Sequence, residues 1–209
     1  MRVLLINQFY VPDVAATGQL MADVAEELSH RGHQVHVICS RRSYTGAAPA
    51  LPAAERINGV HVHRVGATGF GRDRTTGRIL DYASFYLLAL WEALSLPRMD
   101  VCVALTTPPF IALVALLLQR LRGTQVVVWT MDVYPEVAVA FGVLRDRGLL
   151  RAVLTKLSRR VYSAAGGIIS LGETMADRLM EAGASREKIT IVHNWVPRES
   201  PELSVPAAT

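Results

Sequence analysis

The chain has 209 residues, 51% of them apolar, and a formal net charge of +4. That length holds one large domain with a full core, and so modest a charge tolerates phosphate-bearing partners without pointing to nucleic acid. Cys39 and Cys102 each sit alone inside an apolar run, which reads as buried reduced thiols rather than metal ligands.

Val3–Ile6 predicts a buried strand, and it is too brief, with no cleavage site, to be a secretory leader. Leu20, Met21, Val24, Ala25 and Leu28 then recur on one helical face, with His30 and Arg31 in the last turn and Gly32 as the stop. Between strand and helix lies the polar loop Asn7–Gln19. A strand that runs through such a loop into a helix N-terminus presents backbone N–H groups to an anionic or sugar-like ligand. Gly18 would admit close approach there, and Thr17 would cap the helix or offer its hydroxyl. An ordinary strand–helix connection explains the same residues. No G-x-G-x-x-G follows the strand and no P-loop occurs, so a dinucleotide site is not expected.

Val35–Cys39 is the second strand, the Gly/Ala/Pro-rich Arg41–Ala54 a mobile loop, Val60–Val65 the third strand and Gly66–Gly77 a second glycine-rich loop. Ile79–Leu96 is a strongly apolar helix interrupted by Asp81 and Glu92. Neither it nor Phe110–Leu118 offers the roughly 20 mostly apolar residues needed to span a bilayer, so the expected location is cytoplasmic. Strand and helix then alternate: Val101–Leu105, Phe110–Leu121, Gln125–Trp129, Leu149–Ser163, Gly167–Leu171, Glu173–Ala182 and Ile189–Val192. The tail from Arg198 has a linker's composition. Short Val/Ile/Leu strands alternating with helices predict a Rossmann-like three-layer α/β/α domain. Its sheet should be mainly parallel, with about seven strands, helices on both faces and ligands at the carboxyl ends of the strands.

Three segments at strand ends and one helix carry candidate chemistry. Thr106-Thr107-Pro108-Pro109 follows one strand and lines the cleft or merely turns the chain. In WTMDVYPE, Asp132 stands just beyond a buried strand and Pro135 suits the first turn of a helix. Asp132 would hold a substrate hydroxyl or take its proton, with Glu136 close by; alternatively it caps the next helix. In His193-Asn194-Trp195-Val196-Pro197, Asn194 offers donors and acceptors and Trp195 a stacking surface; a domain-exit turn is the plainer account. On Leu149–Ser163, Leu150, Val153, Leu154, Leu157 and Val161 share one face, while Arg151, Lys156, Arg159 and Arg160 share the other. Such a basic face meets anionic lipid headgroups or is simply solvated. His33, His36, His61 and His63 lie on or near strands without metal-ligand spacing, and no metal site is expected.

Together the segments NQFYVPDVAATGQLMADVAEELSHRGHQVHVIC, MDVYPEVAVAFGVL, LGETMADRL and HNWVP resemble, in that order, the N-terminal half of the retaining GT-B glycosyltransferases of family 4, the group 1 glycosyltransferases. The likeness is to the branch that includes colanic-acid and other bacterial exopolysaccharide enzymes, and it covers Met1 to about Pro197. The resemblance implies an acceptor-side domain over 1–197, a linker over 198–209, and a second domain that binds the nucleotide-sugar donor. It implies that Thr17 and Gly18 approach the donor phosphates and transferred sugar, with Asp132 beside the reacting sugar. Asn194 falls in the asparagine motif of the domain handover, and no cofactor is implied. The family's Arg/Lys pair for the pyrophosphate and its Glu-x7-Glu element have no counterpart in these residues, so the chain alone is expected to lack the donor site. The implied function is sugar transfer from a nucleotide-sugar to a saccharide or lipid-linked acceptor in cell-surface polysaccharide synthesis, at the inner face of the cell membrane. A non-catalytic glycan-binding module, one subunit of a split enzyme and an epimerase-like or regulatory domain are the alternatives.

Overall fold

The computed structural model describes residues 1–43, 51–66, 68, 75–145 and 147–196. The expected linker from Arg198, and parts of both expected glycine-rich loops, lie outside them. Eight strands form one sheet: β1 (Arg2–Ile6), β2 (Gln34–Ser40), β3 (Ala54–Ile57), β4 (Val60–Val65), β5 (Val101–Leu105), β6 (Gln125–Trp129), β7 (Gly167–Ser170) and β8 (Ile189–Ile191). Their order is β3-β4-β2-β1-β5-β6-β7-β8, and every pair is parallel except β3 with β4. The helices are α1 (Ala16–His30), α2 (Thr75–Ser95), α3 (Ala112–Arg122), α4 (Glu136–Ala140), α5 (Leu149–Ala164) and α6 (Glu173–Glu181), with a 3-10 turn at Arg186–Lys188. No helix among the described residues is long and apolar enough to cross a membrane.

The α/β architecture is as expected, with two differences. The eighth strand, β3, has only the residues Ala-Glu-Arg-Ile and so carries no apolar run. It forms because Asn58 and Gly59, at φ 46° and 86°, close a two-residue turn onto β4. The left-handed φ is what favours Gly59; a Cβ there would also come within 2.5 Å of Ser29 Oγ, which a turn of that hydroxyl relieves.

The two helix layers are also unequal. Leu4, Ile6, Ile38, Cys102, Val126, Val128 and Ile168 pack on one face against Phe85 and Ala89 of α2, Ala115 and Leu118 of α3, Val161 of α5 and Leu179 of α6. On the other face α1 alone, through Leu20, Met21, Ala22 and Ala25, covers Val3, Leu5, Val35, Val37, Val60 and Val62. Helices do lie on both faces, but four of the five longer ones lie on one.

All the parallel strands point the same way, so the loops after Ile6, Leu105, Trp129 and Ile191 open on a single edge. The chain first builds away from β1 through β2 and β4, then returns over the sheet through α2 to place β5 on the other side of β1. This reversal leaves a crevice between the carboxyl ends of β1 and β5, where open α/β sheets bind ligands.

Candidate functional site

The crevice is closed at its base by the chain itself. The Gln8 backbone N–H donates to the Thr107 carbonyl at 2.8 Å, tying the loop after β1 to the loop after β5. Asn7 is fully buried; its Nδ2 donates to the Phe9 carbonyl at 2.8 Å and to Thr17 Oγ1 at 3.3 Å. Its Oδ1 is buried with no partner among the described residues.

Thr17 therefore does not cap α1. The helix begins at Ala16 with Ala15 as its N-cap and no side-chain cap, so Thr17 and Gly18 belong to the first turn rather than to the loop. The space at Gly18 is also already taken, because a Cβ there would stand 3.1 Å from the Phe9 and Tyr10 backbone. The close approach that this glycine permits is to the protein's own loop.

Asp132 follows β6 as expected, and it is not a cap either: the N-cap of α4 is Pro135, with no side-chain capping bond. What fixes Asp132 is Thr106. The Thr106 hydroxyl oxygen accepts the backbone N–H of Met131 at 3.0 Å and of Asp132 at 3.2 Å, so the loop after β6 hangs from the end of β5. Partial burial raises the Asp132 carboxyl above the ordinary carboxylate range. Glu136 opens α4 with one carboxylate oxygen, Oε2, buried and without a partner among the described residues. Burial, and after it the Glu136 charge, pushes the Tyr162 phenol upward. Thr130, fully buried between β6 and Asp132, likewise has a hydroxyl with no partner among the described residues. Asn7 and Thr130 lie inside the candidate segments Asn7–Gln19 and WTMDVYPE, but sequence reasoning gave neither a role; a polar residue directly after an apolar strand was the available signal.

For the segment after the last strand, the sequence leaves open a stacking surface and a plain turn. Trp195 stacks on Trp129, with centroids 5.9 Å apart and an interplanar angle of 24°, and its Nε1 donates to Asp23 Oδ2 at 2.7 Å. Its indole ties this segment to α1, so one ring face and the N–H are engaged within the protein while the residue stays half-buried. His193 Nδ1 donates to the Leu171 carbonyl at 2.8 Å, while Asn194 is exposed.

On α5 the expected buried face is only partly buried. Ser158, Val161 and Tyr162 are buried, whereas Leu150 and Val153 are 61% and 53% exposed, beside Leu149 at 83%. The N-terminal half of α5 projects beyond the layer formed with α3. Lys156, Arg159 and Arg160 are exposed, and Arg147, Arg151, Lys156 and Arg159 line a shallow groove along this projection.

The histidines of β2 and β4 gather in the amino half of the sheet, away from the crevice. His36 stacks on His61 at 4.9 Å and its Nδ1 lies 3.1 Å from His63 Nε2; His63 Nδ1 lies 3.0 Å from Glu92. Among the described residues no cluster of three or more such side chains could hold a metal ion. Both cysteines are free and buried, with thiols pushed up to about 12 by desolvation.

Residues 16–195 match the family described as the glycosyl transferase 4-like domain. A probable glycosyltransferase, WbjE, of Pseudomonas aeruginosa is 28% identical over 118 residues, covering 52% of this chain and 30% of that protein. Among solved structures, Anabaena HepE in complex with UDP and glucose superposes with a TM-score of 0.52 at 15% identity, over 97% of this chain and 47% of that one. The lipopolysaccharide outer core galactosyltransferase WaaB superposes with a TM-score of 0.56 at 12% identity, over 99% and 51%. At these identities the structural likenesses establish the fold. The chain spans about half the length of these two structures and less than a third of the curated relative.

Proposed function

The chain belongs to the glycosyl transferase 4-like domain family, and from that premise we propose that it is the acceptor-side half of an enzyme that moves a sugar from a nucleotide-sugar to a saccharide. The reading includes retention at the anomeric carbon, a lipid-linked acceptor and a role in cell-surface polysaccharide synthesis. The nucleotide itself is held by a second domain of the whole enzyme; the half-length match to its relatives supports this division. HepE, a structural neighbour, was crystallised with UDP and glucose, which agrees with a nucleotide-sugar donor.

The observation that carries the reading is Asp132: a half-buried carboxylate at the carboxyl edge, braced through its backbone by Thr106 and without a capping duty. When the nucleoside diphosphate departs, positive charge grows on the sugar ring. A fixed carboxylate that accepts a bond from a sugar hydroxyl becomes a stronger partner as that charge develops. Asp132→Asn in the whole enzyme should cost about 2–4 kcal/mol of transition-state stabilisation, read as lower turnover with an unchanged melting temperature. Turnover near wild type removes Asp132 from the chemistry. A glycan-binding module without transfer would instead bind saccharide and release no nucleoside diphosphate.

Membrane contact belongs to the same reading. Exposed Leu149, Leu150 and Val153 beside Arg151, Lys156, Arg159 and Arg160 form an apolar prow with a cationic flank, suited to an anionic bilayer. Binding to acidic liposomes should weaken steeply with salt, since the screening length is about 10 Å at 0.1 M. Replacing the four cations with Gln should abolish it; equal binding by that variant excludes the helix.

A further inference from the structure

The loops that present Asp132 also hold an aromatic pair that no role so far uses. Phe110, just after the Pro108-Pro109 turn, has φ 63°, the left-handed region that a bulky side chain rarely adopts. Such a conformation persists only where the surroundings impose it, and it concentrates at ligand clamps. Here the imposing contacts are visible. The Tyr86 hydroxyl donates to the Pro109 carbonyl, the Ile111 N–H donates to the Pro108 carbonyl at 3.2 Å, and the Leu113 N–H donates to the Phe110 carbonyl at 2.9 Å.

The outcome is that the Phe110 ring lies 6.0 Å from the Tyr134 ring, tilted by 53°, two residues along the chain from Asp132. Both rings are half-buried and keep part of their surface open. Beneath them is a cavity of about 20 Å³, lined by Thr106, Phe110, Tyr134, Ser158 and Tyr162 among others. That volume takes roughly one water, so a sugar does not fit inside it and the ring faces are the larger surface offered here. Burial, and then the Asp132 charge, pushes the Tyr134 phenol up to about 12; at neutral pH it is protonated and can donate a hydrogen bond.

We propose that Phe110 and Tyr134 form a shelf on which a pyranose ring of the acceptor stacks, with its hydroxyl rim turned toward Asp132. The proposal rests on the transfer reading above and specifies its acceptor side. A pyranose has one apolar C–H face and a rim of hydroxyls, and the negative face of an aromatic ring attracts polarised C–H groups. The carboxylate accepts from the rim and the phenol donates to it. A phosphate is repelled by Asp132, and a bare acyl chain would leave the carboxylate desolvated with nothing to bind it.

The test is saturation-transfer NMR with methyl glucoside, methyl galactoside and methyl N-acetylglucosaminide as probes, on the wild-type chain and on Phe110→Leu and Tyr134→Leu. Leucine keeps the apolar bulk and removes the aromatic face. The expected result is transfer to the C–H face of at least one probe, with affinity falling about threefold to tenfold in each variant, while circular dichroism and melting temperature stay as in wild type. If Phe110→Leu fails to fold, Tyr134→Leu alone decides. No transfer to any probe in the wild type, or undiminished binding by the folded variants, overturns the shelf. In the whole enzyme, Tyr134→Leu should raise the acceptor KM and leave the donor KM alone. An unchanged acceptor KM with sugar transfer intact removes the shelf and spares the transfer reading. Probe binding that depends on both rings, in an enzyme whose turnover ignores Asp132→Asn, does the reverse.

Discussion

At the amino edge of the sheet, polar groups are tied to one another. The Arg2 backbone N–H donates to Asp100 Oδ2 at 2.7 Å, the Thr124 hydroxyl donates to the Met99 carbonyl at 3.0 Å, and the Arg122 guanidinium closes the end of α2 through the carbonyls of Leu94 and Leu96. Glu92, His63 and His36 form a chain of contacts behind them. In the carboxyl half, Asn7, Tyr10, Arg64, Trp129, Thr130 and Glu136 each hold a buried side-chain atom without a partner among the described residues. Buried polar atoms are nearly always paired in native structures. Among the described residues, six of the seven residues with such an atom lie toward the carboxyl edge. The amino edge is closed by the fold itself, with His36 Nε2 as its exception.

That exception gives the largest expected effect on stability. Burial first, then His63 and His61, lowers His36 from 6.5 to about 4. Between those values the unfolded chain binds a proton that the folded chain refuses. The contribution is therefore fully present above pH 6.5 and is lost as pH falls toward 4, a loss of about 3 kcal/mol by linkage. Urea midpoints at pH 7 and pH 4 should draw together in His36→Gln; the same acid loss in that variant breaks the contrast at its weakest point.

A smaller effect sharpens it. Thr124→Val on the amino edge deletes a made, buried bond and should cost about 1 kcal/mol, or roughly 2–4 °C in melting temperature, with activity intact. Thr130→Val on the carboxyl edge deletes no bond made among the described residues, so stability should hold within about 0.5 kcal/mol or rise slightly. Its cost should appear in turnover instead. Equal destabilisation by the two substitutions would show that the edges do not differ as described.

Much of this arrangement is legible in the residues. Seven strands, the longer helices, the buried thiols and the placement of Asp132 beyond β6 all follow from short-range patterns: continuous apolar runs, a 3.6-residue periodicity, and the carboxyl-edge rule for parallel sheets. The eighth strand was legible too, in the dipeptide Asn58-Gly59 rather than in any apolar run.

What the sequence could not decide were the contacts that span it. Trp195 bonds Asp23 across 172 positions, and no local pattern distinguishes an indole so engaged from one left to receive a sugar. Thr106 reaches the backbone of Asp132, Phe9 and Tyr10 fill the space beside Gly18, and β5, α2 and α3 together hold Phe110 in the left-handed region. Periodicity fixes which way a side chain points from its own helix or strand. Whether that direction ends in a partner, in solvent or at an open site is set by elements far away in the chain, and only their packing decides it.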